Sequence, residues 1–151
     1  MIAAGKMAPS AINLQPWKFY VITDKEKIRH FSNAIAEIAK PFFHLLTSDK
    51  TKAVADPVFH DAPVVIFLVA PKEDQWSALD LGMCAQNMML AASSLGLATC
   101  PIGFAALLEN APSISELHLS KNDRIYLALT LGYGNESPEV HPRAGENVFY
   151  L

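Results

Sequence analysis

Residues 7–22 read MAPSAINLQPWKFYVI, a turn carrying a small hydroxyl, two carboxamides and a tryptophan, set directly before a run of aromatic and β-branched residues. Pro9 fixes φ and cannot extend a helix, so the preceding MIAAGKM reads as the last turns of a short one. Ser10 and Asn13 favour a turn. WKFYVI predicts a strand that ends at Thr23-Asp24. Such a join is either ordinary chain reversal, with Asn13 and Gln15 satisfying nearby backbone groups, or a wall that holds a polar, planar ligand against a sheet edge.

The rest of the chain supplies the sheet and its cover. Asp24 is placed to begin the helix KEKIRHFSNAIAEIAK, in which Ile28, Phe31, Ile35 and Ile38 recur at helical spacing and give one buried stripe. Pro41 ends or kinks it, and PFFHLLTSDKTKAVADPVFHD follows as a weak short helix and an irregular connector. APVVIFLVAP is continuously apolar between Pro63 and Pro71 and predicts a central strand covered on both faces. QWSALDLGMCAQNMMLAASSLGLA predicts a helix of about 20 residues that is apolar around almost its whole circumference, which implies burial on all sides. Asp80, Gln86 and Asn87 within it argue against a membrane span. Ala78, Gly82, Ala85 and Ala92 let a second backbone come close, as in packing against a partner subunit. LATCPIGF reads as an irregular loop, AALLEN and SISELHLS as short helical pieces, and DRIYLALTLGYG as a strand. The tail NESPEVHPRAGENVFYL is polar with a final apolar hook. This order predicts an α+β class with a layered sandwich and without the regular crossovers of a doubly wound sheet.

With 151 residues, 51% of them hydrophobic, the chain has room for one domain, residues 1–151, with a sizeable core. Twelve Lys and Arg stand against fifteen Asp and Glu, and only Arg29, Arg124 and Arg143 are arginines, with no basic run to follow a phosphate backbone. Nucleic acid is therefore not an expected partner. Cys84 and Cys100 make no disulfide framework and no C-x-x-C pair, and nothing resembles a secretory leader, so a cytoplasmic location is the default expectation.

Familiar catalytic signatures are missing. There is no G-x-S-x-G elbow, no G-x-G-x-x-G, no phosphate-binding G-x-x-x-x-G-K-[ST] and no H-E-x-x-H. The five histidines stand singly, so no metal site is expected. His60-Asp61 lies in a connector and reads as structural, Asp80 as a group that caps or hydrogen-bonds near the start of the long helix, and Cys100 has no histidine placed to activate it. Two loops remain, APSAINLQPW and TCPIGF. Each sets small, glycine or proline positions beside hydrogen-bonding groups and flanks a long apolar element, so the two are candidates to converge on one ligand.

At these loops the sequence resembles the nitroreductase family of flavoenzymes. The family pattern A-P-S-S-x-N-x-Q-P-W is matched by Ala8, Pro9, Ser10, Asn13, Gln15, Pro16 and Trp17, with Ala11 in place of the second serine. The family's long helix and following P-x-G loop are matched by Asp80-Leu81-Gly82, Gln86, Leu90-Ala91-Ala92, Leu95-Gly96-Leu97 and Pro101-Ile102-Gly103. Leu131-Gly132-Tyr133 matches its L-G-Y strand end, with Arg143 as the later basic residue. The resemblance implies an α/β/α sandwich around a mostly antiparallel sheet in an intertwined homodimer with FMN between subunits.

It also implies roles. Pro9, Ser10, Ala11, Asn13 and Gln15 would face the flavin from one subunit, Ser10 near the phosphate end and Asn13 near the ring. Pro101, Ile102 and Gly103 would cross the ring, a backbone N–H near Gly103 serving as donor, and Arg143 would hold the phosphate. The activity implied is reduction of FMN by NAD(P)H and transfer to a small-molecule acceptor such as a nitroaromatic or quinone, with no side chain required as acid or base and no catalytic residue named. Family members usually carry an earlier phosphate-gripping segment, and against that pattern the chain reads as an N-terminally short form. A flavin-binding protein without turnover and a cofactor-free structural protein of the same fold stay open as alternatives.

Overall fold

The computed structural model describes residues 1–41, 56–136, 139–143, 145 and 149–150. Its centre is β2 (Val64–Pro71), hydrogen-bonded on both sides in a four-stranded sheet of order β1-β2-β4-β3, where β1 is Lys18–Ile22, β3 is Ala98–Ile102 and β4 is Asp123–Gly132. All three pairings are antiparallel. Among the described residues three α-helices accompany the sheet: α1 (Ile2–Gly5), α2 (Lys25–Ala39) and α3 (Ser77–Ser94). Short 3₁₀ helices cover Ala11–Asn13, Gly103–Asn110 and Pro112–Leu117.

The two-residue alternation of β2 sorts its side chains into two cores. Val65, Phe67 and Val69 join Ile28, Phe31 and Ile35 of α2 and the 3₁₀ segments on one face. Ile66, Leu68 and Ala70 join Leu81, Cys84, Ala85 and Met88 of α3 on the other. An α/β/α sandwich results. The register slips between Leu68 and Val69, whose partners are Leu127 and Ile125, so Tyr126 is an extra residue on β4. This bulge is what lets Ile125 and Ala128, three positions apart, both face the α2 side.

The helix expectations hold for α2. The Asp24 carboxylate accepts the Lys27 N–H at 2.8 Å, a cap worth about 1 kcal/mol; Ile28, Phe31 and Ile35 are buried and Ile38 is half-buried. Pro41 stands two residues beyond the helix end at Ala39. Most of the connector that follows, residues 42–55, lies outside the described residues.

Two expectations need correction. LATCPIGF is not an irregular loop, because Ala98–Ile102 pairs with Gly132–Ala128 as an edge strand. Proline is compatible with an edge, where one missing ladder donor need not break a pairing. And α3 is not covered on all sides within this chain: Ser77, Asp80, Leu81, Cys84, Ala85, Met88 and Ala92 are buried, whereas Leu79 and Leu90 are 57% and 59% exposed. Ala85 and Ala92 thus serve packing inside the chain, and only Ala78 and Gly82 of the small residues stand on the open side. Helix α1 meets α3 at Gly5, where a Cβ would lie 2.7 Å from Met88 Cγ.

Phe67 is fully buried between Phe31 and Phe59, edge-on to both rings. Phe67→Ala is expected to cost about 3–5 kcal/mol, and Val21→Ala on the exposed side of β1 about 0.5 kcal/mol or less, both read from the denaturant midpoint at one protein concentration.

Candidate functional site

The turn before β1 is built from its own polar groups. Ser10 is extended, its C=O accepts the Asn13 N–H at 3.0 Å, and the Ala11 C=O accepts the Leu14 N–H at 3.0 Å. Ser10 Oγ accepts the Gln15 N–H at 2.9 Å, and Gln15 Nε2 donates to Asn13 Oδ1 at 2.9 Å. The carboxamides of Asn13 and Gln15 therefore do satisfy local partners, as ordinary chain reversal requires. Yet the backbone is not ordinary. Ile12, Asn13 and Gln15 have φ of 43°, 59° and 49°. Asparagine tolerates this left-handed region, but a β-branched residue there is strained, and Ile12 is also 91% exposed. Strain of this kind persists where surroundings over-determine it, and it clusters at active sites, ligand clamps and switch regions.

Those surroundings come from α3. Ala8 and Trp17, on either side of the turn, are buried against it. Asp80, in its first turn and buried, accepts the Ala11 N–H with both carboxylate oxygens, at 3.1 and 3.2 Å. The expectation that Asp80 makes a structural hydrogen bond near the start of the helix is met, but by a partner 69 residues away. No local pattern announces that partner. Asn87 Nδ2 donates to the Ala4 C=O at 3.2 Å and ties α1 to the same helix. Pro9 faces an open groove of about 440 Å³ along α3, lined with it by Leu79, Gly82, Met83, Gln86 and Asn87.

Pro101, Ile102 and Gly103 stand elsewhere. They end β3 and begin the next 3₁₀ helix, with Pro101 and Gly103 exposed and Ile102 buried. A Cβ on Gly103 would meet nothing within 4 Å, so its backbone is open to approach. The Pro9–Gln15 turn leads into β1 at one edge of the sheet and this segment leaves β3 at the other, three strand intervals or about 14 Å apart. One chain does not bring the two candidate loops together. Arg143 is exposed in the segment beyond β4.

Other chemistry is sparse. Burial pushes the Cys84 thiol up to about 11 and raises that of Cys100, which keeps both protonated rather than nucleophilic. His60 and Asp61 are exposed turn residues. Among the described residues no group of three or more His, Cys, Asp or Glu is placed to hold a metal ion.

Comparison with known proteins agrees with this architecture. A model of the nitroreductase family matches residues 1–133. The chain belongs to the nitroreductase family. Within that family it is 28% identical to a 4-nitrobenzoate reductase of Pseudomonas putida, over 93% of this chain and 77% of that protein. It is 30% identical to an NADPH-flavin oxidoreductase of Vibrio harveyi, over 98% of this chain and 60% of that protein. Among solved structures, a nitroreductase with bound FMN from Desulfitobacterium hafniense superposes with a TM-score of 0.85 at 21% identity, covering 99% of this chain and 83% of that one. An iodotyrosine deiodinase bound to FMN and 3-iodo-L-tyrosine does so with a TM-score of 0.75 at 20% identity, over 99% and 83%. At such identities the superpositions speak for the fold.

The strained turn generates a direct test. Ile12→Asn removes the β-branched clash at positive φ and is expected to raise the stability of the isolated chain by about 0.5–1 kcal/mol, measured by thermal unfolding. A loss of similar size would mean that the isoleucine side chain is not the source of strain at this position.

Proposed function

We propose that this single-domain protein is an FMN-dependent oxidoreductase that accepts electrons from NAD(P)H and passes them to a small acceptor of the nitroaromatic or quinone kind, working in the cytoplasm as a homodimer. The observation that carries the reading is the Pro9–Gln15 turn, strained at Ile12 and presenting uncharged hydrogen-bonding groups beside an open groove. The donor set suits the uncharged, planar, polar ring of a flavin. With its oxygen accepting from Gln15, the Ser10 hydroxyl still has a proton to give, Asn13 keeps both N–H donors, and Gln15 keeps its carbonyl oxygen.

Bound FMN would supply the two-electron redox chemistry, and the chain the placement and the exclusion of water. Pro9, Ser10, Asn13 and Gln15 would hold one side of it. Ala11 is differently placed, since its N–H is engaged by Asp80 and its C=O by Leu14, so it would contribute its small methyl and the room that the methyl leaves. Pro101 and Gly103 would border the ring from exposed positions, with the buried Ile102 anchoring the segment between them, and Arg143 would neutralise the phosphate by charge-assisted bonds. No acid or base among the side chains is needed.

The homodimer follows from two features of the single chain. The candidate loops lie on opposite sheet edges, so a second copy is the simplest way to bring one beside the other. The open side of α3 also exposes Leu79 and Leu90, Leu95 is exposed just past the helix end, and Met7, Ile12 and Leu14 are exposed in the segment that leads to β1. That amount of apolar surface favours a partner. Among the described residues no helix is long and apolar enough to cross a membrane.

Absorbance spectra before and after FMN is supplied, followed by bleaching with NADH or NADPH under anaerobic conditions, test the activity. The expected result is a yellow protein whose flavin bands fade with the nicotinamide and return with an acceptor. A protein that stays colourless in excess FMN would overturn the reading. Arg143→Ala is expected to weaken FMN binding about ten- to a hundredfold, the loss of one charge-assisted contact, measured by flavin fluorescence titration.

Sedimentation at micromolar concentration tests assembly. The wild type is expected to run as a dimer and Leu90→Asp as a folded monomer or weak dimer, because that side chain is already outside the chain's own core.

A further inference from the structure

Asp80 is 1% exposed, yet among the described residues its two oxygens share a single donor, the Ala11 N–H. A buried carboxylate is costly unless its charge is used, and one amide leaves most of its acceptor capacity idle. A neutral asparagine would satisfy the same N–H at lower desolvation cost. The charge has two physical returns here. It strengthens the bond to Ala11 relative to a neutral acceptor, and it stands in the first turn of α3, where the helix dipole favours a negative group.

The bonds within the turn, from Asn13, Leu14 and Gln15 back to Ser10 and Ala11, close it on itself without aiming it at anything. Burial of Ala8 and Trp17 fixes the two ends of the segment. Between those ends, the polar tie to the helix is the Ala11–Asp80 bond, and the residues that follow it are the ones held at positive φ. We infer that Asp80 is a positioning residue, a charged clasp that binds the Pro9–Gln15 turn to α3 and keeps Ser10 and Asn13 turned outward for a ligand. The ligand half of this inference rests on the flavin reading above. The mechanical half does not. A second consequence is that the Ala11 amide is spent, so the turn meets its ligand through side chains rather than through that backbone donor.

The test uses the full chain, with and without FMN. In the cofactor-free protein, amide hydrogen exchange over residues 11–15 is expected to quicken in Asp80→Ala while exchange in β2 stays as in the wild type. FMN affinity is expected to fall about tenfold or more, and Asp80→Asn, which keeps an acceptor oxygen in place, is expected to restore it to within about threefold. Val65→Ala, in the core on the other face of the sheet, lowers stability without touching the turn and is expected to leave affinity unchanged. Should alanine prevent folding, Asp80→Ser, too short to span to Ala11, takes its place in both measurements. Unchanged exchange over the turn in Asp80→Ala or Asp80→Ser overturns the clasp. Equal loss of affinity in Val65→Ala overturns its specific role in binding. If the wild type takes up no FMN but exchange still quickens in the variant, the flavin reading fails and the clasp stands.

Discussion

The structure depends on one strand having no free side. β2 is paired along both edges and covered on both faces, so every backbone polar group within it needs a ladder partner and every side chain a core. The first demand fixes β1 and β4 as its neighbours. The second forces a helical layer on each face, because Val65, Phe67 and Val69 cannot be buried by the elements that bury Ile66, Leu68 and Ala70. Even the bulge at Tyr126 answers to this strand, since it restores the inward phase of β4 against a neighbour with no slack.

What could be read from the chain follows from how local each signal is. Asp24, Ile28, Phe31 and Ile35 announce α2 by cap and period, and the apolar run between Pro63 and Pro71 announces β2 by length and composition. Ala98–Ile102 was hidden because Pro101 and Gly103 are local loop signals, whereas the pairing that makes it a strand is with Gly132–Ala128, about 30 residues onward. The uniform apolarity of α3 concealed which side is buried, and the polar members of that side, Ser77 and Asp80, are buried through bonds to Asp74 and Ala11 that no periodicity records. Residue types at the candidate site were legible. The positive φ at Ile12 was not, because isoleucine is a poor sign of a left-handed turn.

The site has the character of a half. On one edge of the sheet stands a self-bonded turn with donors to spare, and on the other an exposed glycine and proline segment with backbone open to approach. The chain itself leaves these two segments on opposite edges of the sheet, and the outer side of α3 carries exposed leucines. Placement, rather than an activated side chain, is what these residues have to offer. The raised thiols are in keeping with that.

Pro101 has a further effect that concerns the sheet rather than the ligand. Proline is accommodated in an edge strand when its absent N–H would have pointed outward. On that geometry the outer rim of β3 is a donor short at the fourth residue of a five-residue strand. A foreign strand laid along it would lose a rung there, so that rim is a poor template for runaway pairing between molecules. β1, at the opposite rim, carries no proline from Lys18 to Ile22. Any tendency of this sheet to grow is therefore one-sided, and solubility hangs on how the β1 rim is kept occupied.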